Sequence, residues 1–208
     1  MGKIKELVTV GSGDIFGNAL SAIFWFFLAS QIEPNEYGEL QWFIGIAAIF
    51  SSIALLGNVN TITVYVAKNI PIQSTLNLFS LLASAILSLI IIVIFPAFYT
   101  IDIGVLVIAY VINTLAIGDL LGKKQFSNYS RYTIIQKGLT LGLGLLFFYI
   151  FGYEAILFAL ALTYVFHFKR IINIFREIKI DFKLIRPRIG FIVNNYFTFL
   201  ISSSIGAG

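Results

Sequence analysis

Long apolar stretches separated by short polar gaps dominate the pattern of this chain. Six stretches stand out, at residues 7–32, 40–67, 76–99, 103–121, 132–151 and 155–168. Most are close to the about 20 residues that a helix needs to cross about 30 Å of hydrocarbon. The segment 81–95 is almost continuously apolar, whereas a strand of a membrane barrel would alternate apolar and polar residues. The pattern therefore predicts an all-α integral membrane protein with a six-helix transmembrane bundle.

Charged residues fall mainly in the gaps, and their sign alternates from one gap to the next. Basic residues occupy the N-terminus and every second gap after it, and the other gaps hold acidic residues without Lys or Arg. Short loops rich in Lys and Arg stay in the cytoplasm, which predicts a multi-pass protein of the cytoplasmic membrane with its N-terminus inside. The basic residues predicted to face lipid headgroups are Lys123, Lys124, Arg131, Lys169 and Arg170.

The amino-acid composition disfavours several classes of function. Hydrophobic residues make up 59% of the chain and charged residues 12%, which is far from the average soluble domain. Membrane topology accounts for the net charge of +4, so a nucleic-acid partner is not expected. With no cysteine and one histidine, a thiol catalyst or a Cys- or His-based metal site is not expected either. The chain has no glycine-rich phosphate loop and no recognisable catalytic constellation, and we therefore expect neither an enzyme nor a cofactor.

Three segments are predicted along the chain. Residues 1–168 form the six-helix lobe, and residues 169–188 form a basic amphipathic linker that lies on the inner membrane surface. Residues 189–208 begin a seventh transmembrane helix, which stops without a polar flank. We therefore expect the N-terminal part of a longer protein, with a genuine half-size protein as the alternative.

Polar residues inside the apolar stretches are the main candidates for function, because each must face protein or a water-filled cavity. In the first stretch, Asp14, Asn18, Ser21 and Trp25 share one helix face by their spacing of four, three and four residues. That face is predicted to look into the bundle. For Asp14 the alternative is a hydrated acid at the start of the helix.

The fifth stretch carries a similar polar face with the one intramembrane cation of the sequence. Thr133, Lys137, Thr140 and Gly144 repeat the same spacing. Lys137 either extends to the cytoplasmic surface or lies in a cavity, where it meets a diphosphate or pairs with Asp14.

Two buried amides are further candidates for the substrate pathway. Asn58 lies late in the second stretch and Asn113 lies midway through the fourth. Each either bonds a neighbouring helix or binds sugar hydroxyls. Asp119 is predicted to be solvated at the cytoplasmic boundary. Gly-x-x-x-Gly spacings at 13–17, 118–122 and 138–142 predict close helix crossings.

The turn after the first stretch carries a resemblance to a known family. Residues 28–38, LASQIEPNEYG, resemble the "LA..L.P.EYG" signature of the polysaccharide transporter family, which includes Wzx-type flippases for lipid-linked oligosaccharides. Residues 55–58 and 65–68 are similar to the glycine-centred second helix of that family and its basic end. The resemblance covers residues 10–70, and beyond them only the topology is similar. The turn itself is expected because Pro34 cannot continue a helix and Gly38 tolerates positive φ, with Tyr37 and Trp42 at headgroup depth.

The resemblance implies a fold and a function. Members of the family have two six-helix lobes around a central cavity, so this chain would be the N-terminal lobe. Its partners would be membrane lipid, a lipid-linked glycan and a second lobe, which is either a C-terminal half or a second copy. It would help flip the glycan lipid by alternating access. The alternatives are a drug or cation antiporter of the same superfamily, and a six-helix scaffold or fragment without transport activity.

Overall fold

The computed structural model describes residues 2–56, 59–94, 100–164, 172 and 181–206. Helices account for nearly all of these residues, and no strand occurs among them. The all-α prediction is therefore confirmed for the described parts of the chain. Asn58, Lys169 and Arg170, together with most of the predicted linker, lie outside the described residues.

We number the helices in chain order. The bounds are α1 Gly2–Gln31, α2 Pro34–Ala54, α3 Val59–Ala67, α4 Gln73–Ile94, α5 Thr100–Gly122, α6 Phe126–Phe151, α7 Ile156–Leu162, α8 Phe182–Ile185 and α9 Ile189–Gly206. Short 3₁₀ turns at Tyr153–Ala155 and Arg186–Arg188 precede α7 and α9.

Four of the described helices, α1, α4, α5 and α6, are long and apolar enough to cross a membrane. The second predicted span is interrupted. It begins at Pro34 rather than Leu40, ends its first part at Ala54 and continues as α3, whose axis differs by 41° from that of α2. Counting this bent pair as one span gives five. The sixth predicted span is helical over Tyr153–Leu162, and the residues after 164 that would complete it are not described, so six spans are not confirmed.

The turn between α1 and α2 differs from the predicted one. Helix α1 ends before Pro34, as expected, and Pro34 starts α2, where its missing N–H costs nothing. The backbone N–H of Glu33 donates to Glu36 Oε2 at 3.3 Å, which satisfies a donor ahead of the helix. Gly38 lies inside α2 without positive φ, so its predicted role in the turn is wrong.

Helix α5 is the central helix of the described bundle. Over half of its apolar window is buried (56%), compared with 22% for α1 and 17% for α6. Leu106, Val107, Val111 and Leu115 are fully buried and belong to two core clusters that include residues of α2 and α3. The more exposed helices, in contrast, carry apolar side chains on their surface, as Val93 of α4 does at 79% exposure, which is compatible with a lipid surrounding.

Glycine allows two of the close crossings that the sequence predicted. Helices α1 and α6 run parallel along their length, and a Cβ at Gly13 would lie 2.8 Å from Ser130 Cα. A Cβ at Gly122 would lie 2.6 Å from Val66 Cβ of α3. The third predicted crossing is wrong within the described structure, because nothing lies within 4 Å of a Cβ at Gly138 or Gly142.

Basic and acidic residues lie at opposite ends of the bundle because of the directions in which the helices run. Val66, near the end of α3, packs beside Gly122, and Lys68 and Lys123 follow these two residues. We call this the basic end. Glu39 and Glu154 line one small cleft at the other, acidic end. This separation agrees with the predicted alternation of charges, although it does not say which end faces the cytoplasm.

Helix α9 packs on the bent pair α2–α3. The Tyr196 hydroxyl donates to the Ile53 carbonyl at 2.8 Å, at the place where α2 ends. Phe191 makes an edge-to-face contact with Tyr65, and the Arg188 guanidinium lies 5.9 Å from the centre of the Tyr65 ring. Helix α9 begins at Ile189 and is attached to α2 and α3 by specific contacts, but it is not one of the described helices that are long and apolar enough to cross a membrane.

Candidate ligand cavity

A cavity of about 490 Å³ opens between five of the helices. Helices α1, α2, α5, α6 and α7 all contribute to its wall. The lining residues are Ser21, Trp25, Tyr37, Gln41, Ile44, Tyr110, Gln136, Lys137, Thr140, Leu160 and Tyr164. Aromatic rings, neutral hydrogen-bonding groups and one ammonium therefore share a single space within apolar helices.

Two pairs of aromatic rings form much of the wall. Trp25 meets Tyr37 edge to face, with ring centroids 6.4 Å apart, and thereby joins α1 to α2. Tyr110 and Tyr164 form a second edge-to-face pair at 5.7 Å and join α5 to the end of α7. Such pairs combine a large apolar surface with a polar tip, and they hold each other in place. Tyr37 therefore lines the cavity, whereas Trp42 is 59% exposed on the outside of the bundle.

One polar wall of the cavity is a hydrogen-bonded network between α6 and the end of α7. Gln136 Nε2 donates to Thr140 Oγ1 and to Thr163 Oγ1, both at 3.2 Å. The Thr140 hydroxyl donates to the Gln136 backbone carbonyl at 3.2 Å, and the Thr163 hydroxyl donates to the Leu160 carbonyl at 2.7 Å. All three side chains are buried. The network fixes the Gln136 amide, because each of its two N–H groups has its own acceptor.

Lys137 lies next to this network and lines the same cavity. Its stem packs on α1, since a Cβ at Gly17 would lie 3.2 Å from Lys137 Cγ. The ammonium forms no ion pair or hydrogen bond with the described residues. Lys137 is the eleventh residue after Phe126, where α6 begins, so it lies about 16 Å along the helix axis and about 9 Å beyond the exposed Arg131.

Asp14 and Asn18 do not line the cavity. Asp14 Oδ1 accepts a hydrogen bond from the Tyr129 hydroxyl at 2.8 Å, so the hypothesised pair with Lys137 is not formed. Asn18 is exposed on the outer surface of α1. Ser21 and Trp25, from the same predicted polar face, do reach the cavity, so only the part of α1 nearer the acidic end contributes to it.

The remaining candidates are distributed around the bundle. Asn113 is half-buried on α5 and is not part of the cavity lining. Lys124 and Arg131 are exposed at the basic end, as a headgroup contact would require. Lys123 instead directs its ammonium to Asp119 Oδ1 at 2.8 Å, although 46% of its side chain remains exposed.

Asp119 corrects the sequence interpretation. Its side chain is 1% exposed rather than solvated, and Oδ1 also accepts a hydrogen bond from Gln73 Nε2 at 2.9 Å. The carboxylate therefore joins α4 to α5 and is neutralised by Lys123, four residues later and just past the end of α5. Burial of this acid is possible because both partners lie within hydrogen-bonding distance.

Sequence reasoning missed several lining residues. Gln136 adjoins Lys137, and Gln41 interrupts the apolar run of α2, so a survey of every polar residue in the spans would have found both. The contributions of Tyr110 and Tyr164 have no comparable signal, because tyrosines also occur on lipid-facing and interfacial surfaces.

Comparison of the chain with protein-family models, curated proteins and solved structures gave no match. The fold and the cavity define a class: an all-helical protein, compatible with a multi-pass membrane protein, with an amphiphilic cavity among its helices.

Proposed function

We propose that this chain is one lobe of a membrane transporter that helps flip lipid-linked oligosaccharide or polysaccharide precursors across the cytoplasmic membrane by alternating access. The observation that carries the proposal is the chemistry of the cavity. Aromatic rings, hydroxyl and amide groups and one lysine surround a single space inside apolar helices.

The neutral part of the lining suits a saccharide. A sugar ring has apolar C–H faces, which pack on aromatic rings, and a rim of hydroxyls that exchange hydrogen bonds. Trp25 and Tyr37 supply the rings on one side, and Tyr110 and Tyr164 supply them on another. Gln41, Gln136 and Thr140 supply neutral polar groups, which suit an uncharged ligand. Gln136 and Thr140 also bond each other, so Gln41 is the group that a purely lipidic ligand would leave without a partner.

The cationic part of the lining suits a phosphate. An ammonium inside the hydrocarbon region is costly unless an anion or water neutralises it. Lys137 has no such partner among the described residues and faces the cavity. A diphosphate that links lipid to saccharide would bring the negative charge to the same place as the sugar, and lysine binds phosphate as a mobile point charge.

The position of Asp14 favours this proposal over the antiporter alternative. A cation or proton antiporter needs carboxylates that face its transport pathway. Asp14 bonds Tyr129, and neither it nor Asp119 lines the cavity. The cytoplasmic orientation of the N-terminus, the second lobe and the resemblance to polysaccharide transporters are parts of the same proposal.

The test compares two variants that each remove one positive charge. Inside-out membrane vesicles of the host, in which any second lobe is present, would be loaded with a fluorescent polyprenyl-diphosphate disaccharide, and its transfer across the membrane followed with an impermeant quencher. We expect Lys137→Gln to slow transfer at least tenfold and Lys68→Gln, at the exposed basic end, to leave it unchanged. Equal transfer by wild type and Lys137→Gln would refute the role of the cavity lysine.

A further inference from the structure

The amide of Gln136 has a fixed orientation. Thr140 and Thr163 each have one hydroxyl proton, and both protons are donated to backbone carbonyls. Their oxygen atoms can therefore only accept hydrogen bonds from Gln136, which places Nε2 toward both of them. A flipped amide would set Oε1 against these two oxygen atoms and could bond them only if both hydroxyls turned away from their backbone carbonyls. Gln136 is 6% exposed, so water cannot readily replace either partner.

The fixed orientation of the Gln136 amide determines which hydrogen-bonding group a ligand must present to it. Both N–H groups of the Gln136 side chain are used within the protein, and the remaining polar atom, Oε1, can only accept. Because Gln136 lines the cavity, a ligand at this wall must present a donor to it. A ligand group that only accepts would meet the carbonyl oxygen of the amide and lose hydration without compensation.

Gln41, which α2 contributes to the cavity lining, differs from Gln136. It also lines the space, but its side chain makes no hydrogen bond with another described residue. Its amide is free to rotate and can offer either N–H or C=O. Gln41 therefore adapts to a ligand, whereas Gln136 discriminates.

We propose that Gln136 determines specificity in the cavity by selecting ligands that present a hydrogen-bond donor, a sugar hydroxyl or an acylamino N–H, to its locked Oε1. The inference rests on the proposed saccharide ligand and adds the polarity that the ligand must have at one wall. Thr163 acts as a positioning residue, since it holds the amide without itself lining the cavity.

The chain provides its own reporter for a binding test. It contains two tryptophans, Trp25 in the cavity wall and Trp42 on the outside, so Trp42→Phe leaves Trp25 as the one tryptophan, which can be excited selectively over the tyrosines. The purified chain in lipid nanodiscs would be titrated with methyl glycosides of glucose and N-acetylglucosamine. Each glycoside would be compared with its deoxyfluoro derivatives, in which fluorine replaces one hydroxyl and its O–H donor. The N-acetylglucosamine glycoside would also be compared with its N-methyl acetamide, which lacks the N–H donor.

We expect one such replacement to weaken binding about tenfold in the Trp42→Phe background, because it leaves Oε1 without a donor. Gln136→Met should reduce this difference to less than about twofold, and Thr163→Val, which unlocks the amide, should reduce it as well. Gln41→Met should keep the difference even if overall affinity falls. Thr163→Val keeps the shape of the side chain, and residue 163 does not line the cavity. This variant therefore tests the role of the locked amide even if Gln136→Met does not fold.

The outcomes separate this inference from the proposed function. Saccharide binding without any difference between donor and fluorine derivatives would overturn the role of Gln136 and leave the saccharide cavity standing. A difference that persists in both Gln136→Met and Thr163→Val would do the same. If no saccharide changes Trp25 fluorescence, the proposed ligand class and this inference both fail.

Discussion

The crossing of α1 and α6 offers a sharp test of the packing, because two glycines on one helix face different surroundings. A Cβ at Gly13 would lie 2.8 Å from Ser130 Cα, whereas nothing lies within 4 Å of a Cβ at Gly11. The contact at Gly13 is with backbone, which cannot turn aside as a side chain could. An ordinary contact begins at 3.4 Å, so the two helices would have to separate by about 0.6 Å at this point.

The expected size of the effect follows from two opposing contributions. Overpacking of a well-packed contact typically costs about 1–3 kcal/mol, and replacement of glycine by alanine in a helix interior stabilises it by about 0.5–1 kcal/mol. Gly11→Ala shows the second contribution alone and should be neutral or stabilising. Gly13→Ala carries both, so we expect it to be less stable than Gly11→Ala by about 1–3 kcal/mol, since the two variants gain equally in helix propensity.

Equilibrium unfolding in mixed detergent micelles, followed by tryptophan fluorescence, would measure the difference in the free energy of unfolding between these two variants. Their helix and residue change are identical, so detergent and propensity effects cancel. If Gly13→Ala were as stable as Gly11→Ala, the close approach of α1 to α6 at Ser130 would be wrong. The parallel arrangement that places Lys137 beside Gly17 would then lose its main support.

Three further predictions concern charge, attachment and orientation. Lys123→Gln leaves the buried Asp119 carboxylate without its cation and should destabilise the fold by about 1–3 kcal/mol, which is less than for a fully buried pair because Lys123 is half exposed. The same unfolding assay on the double variant with Asp119→Asn should show recovery of stability, which would confirm the coupling. Strict additivity of the two substitutions would argue against it. Tyr196→Phe removes the donor to the Ile53 carbonyl and should cost about 0.6–1.7 kcal/mol, with faster amide hydrogen exchange at the end of α2; unchanged exchange there would contradict the attachment of α9. The chain has no cysteine, so Ser127→Cys at the basic end should react with an impermeant maleimide in inside-out vesicles and be protected in intact cells, and the reverse pattern would invert the proposed topology.

The periodicity of the sequence was sufficient for the helices themselves. Continuous apolar runs with helical spacing predicted α1, α4, α5 and α6 to within a few residues at most ends, because hydrocarbon forces the backbone to bond within each segment. The interruption after Ala54 was not predictable in the same way. Residues 50–56 remain apolar or small across it, and the freed carbonyl at Ile53 is bonded by Tyr196, about 140 residues away in the chain.

The candidate site was predicted only in part, for a related reason. The sequence marked Lys137 as the one cation within an apolar stretch and left open whether it extends to the surface or lies in a cavity, and the structure places it in the cavity lining. Asp14 and Asn18 share a helix face with Ser21 and Trp25, yet Asp14 bonds Tyr129 of α6, Asn18 is exposed, and the cavity begins only at Ser21. Helical spacing shows which residues share a face, but it does not show where along the helix a neighbour covers that face.

The sequence by itself determined the all-helical class, the apolar lengths compatible with a membrane, the separation of charge between two ends and the presence of one lysine within an apolar stretch. These properties depend on local composition and on the physics of a backbone without water. The tertiary structure alone decided that Tyr110 and Tyr164 meet, that Asp119 is buried with Gln73 and Lys123, and that two threonines lock the amide of Gln136. Each of these arrangements joins residues from separate helices. Their contact depends on which helix faces pack together, and that choice is made by the shapes of all the helices at once.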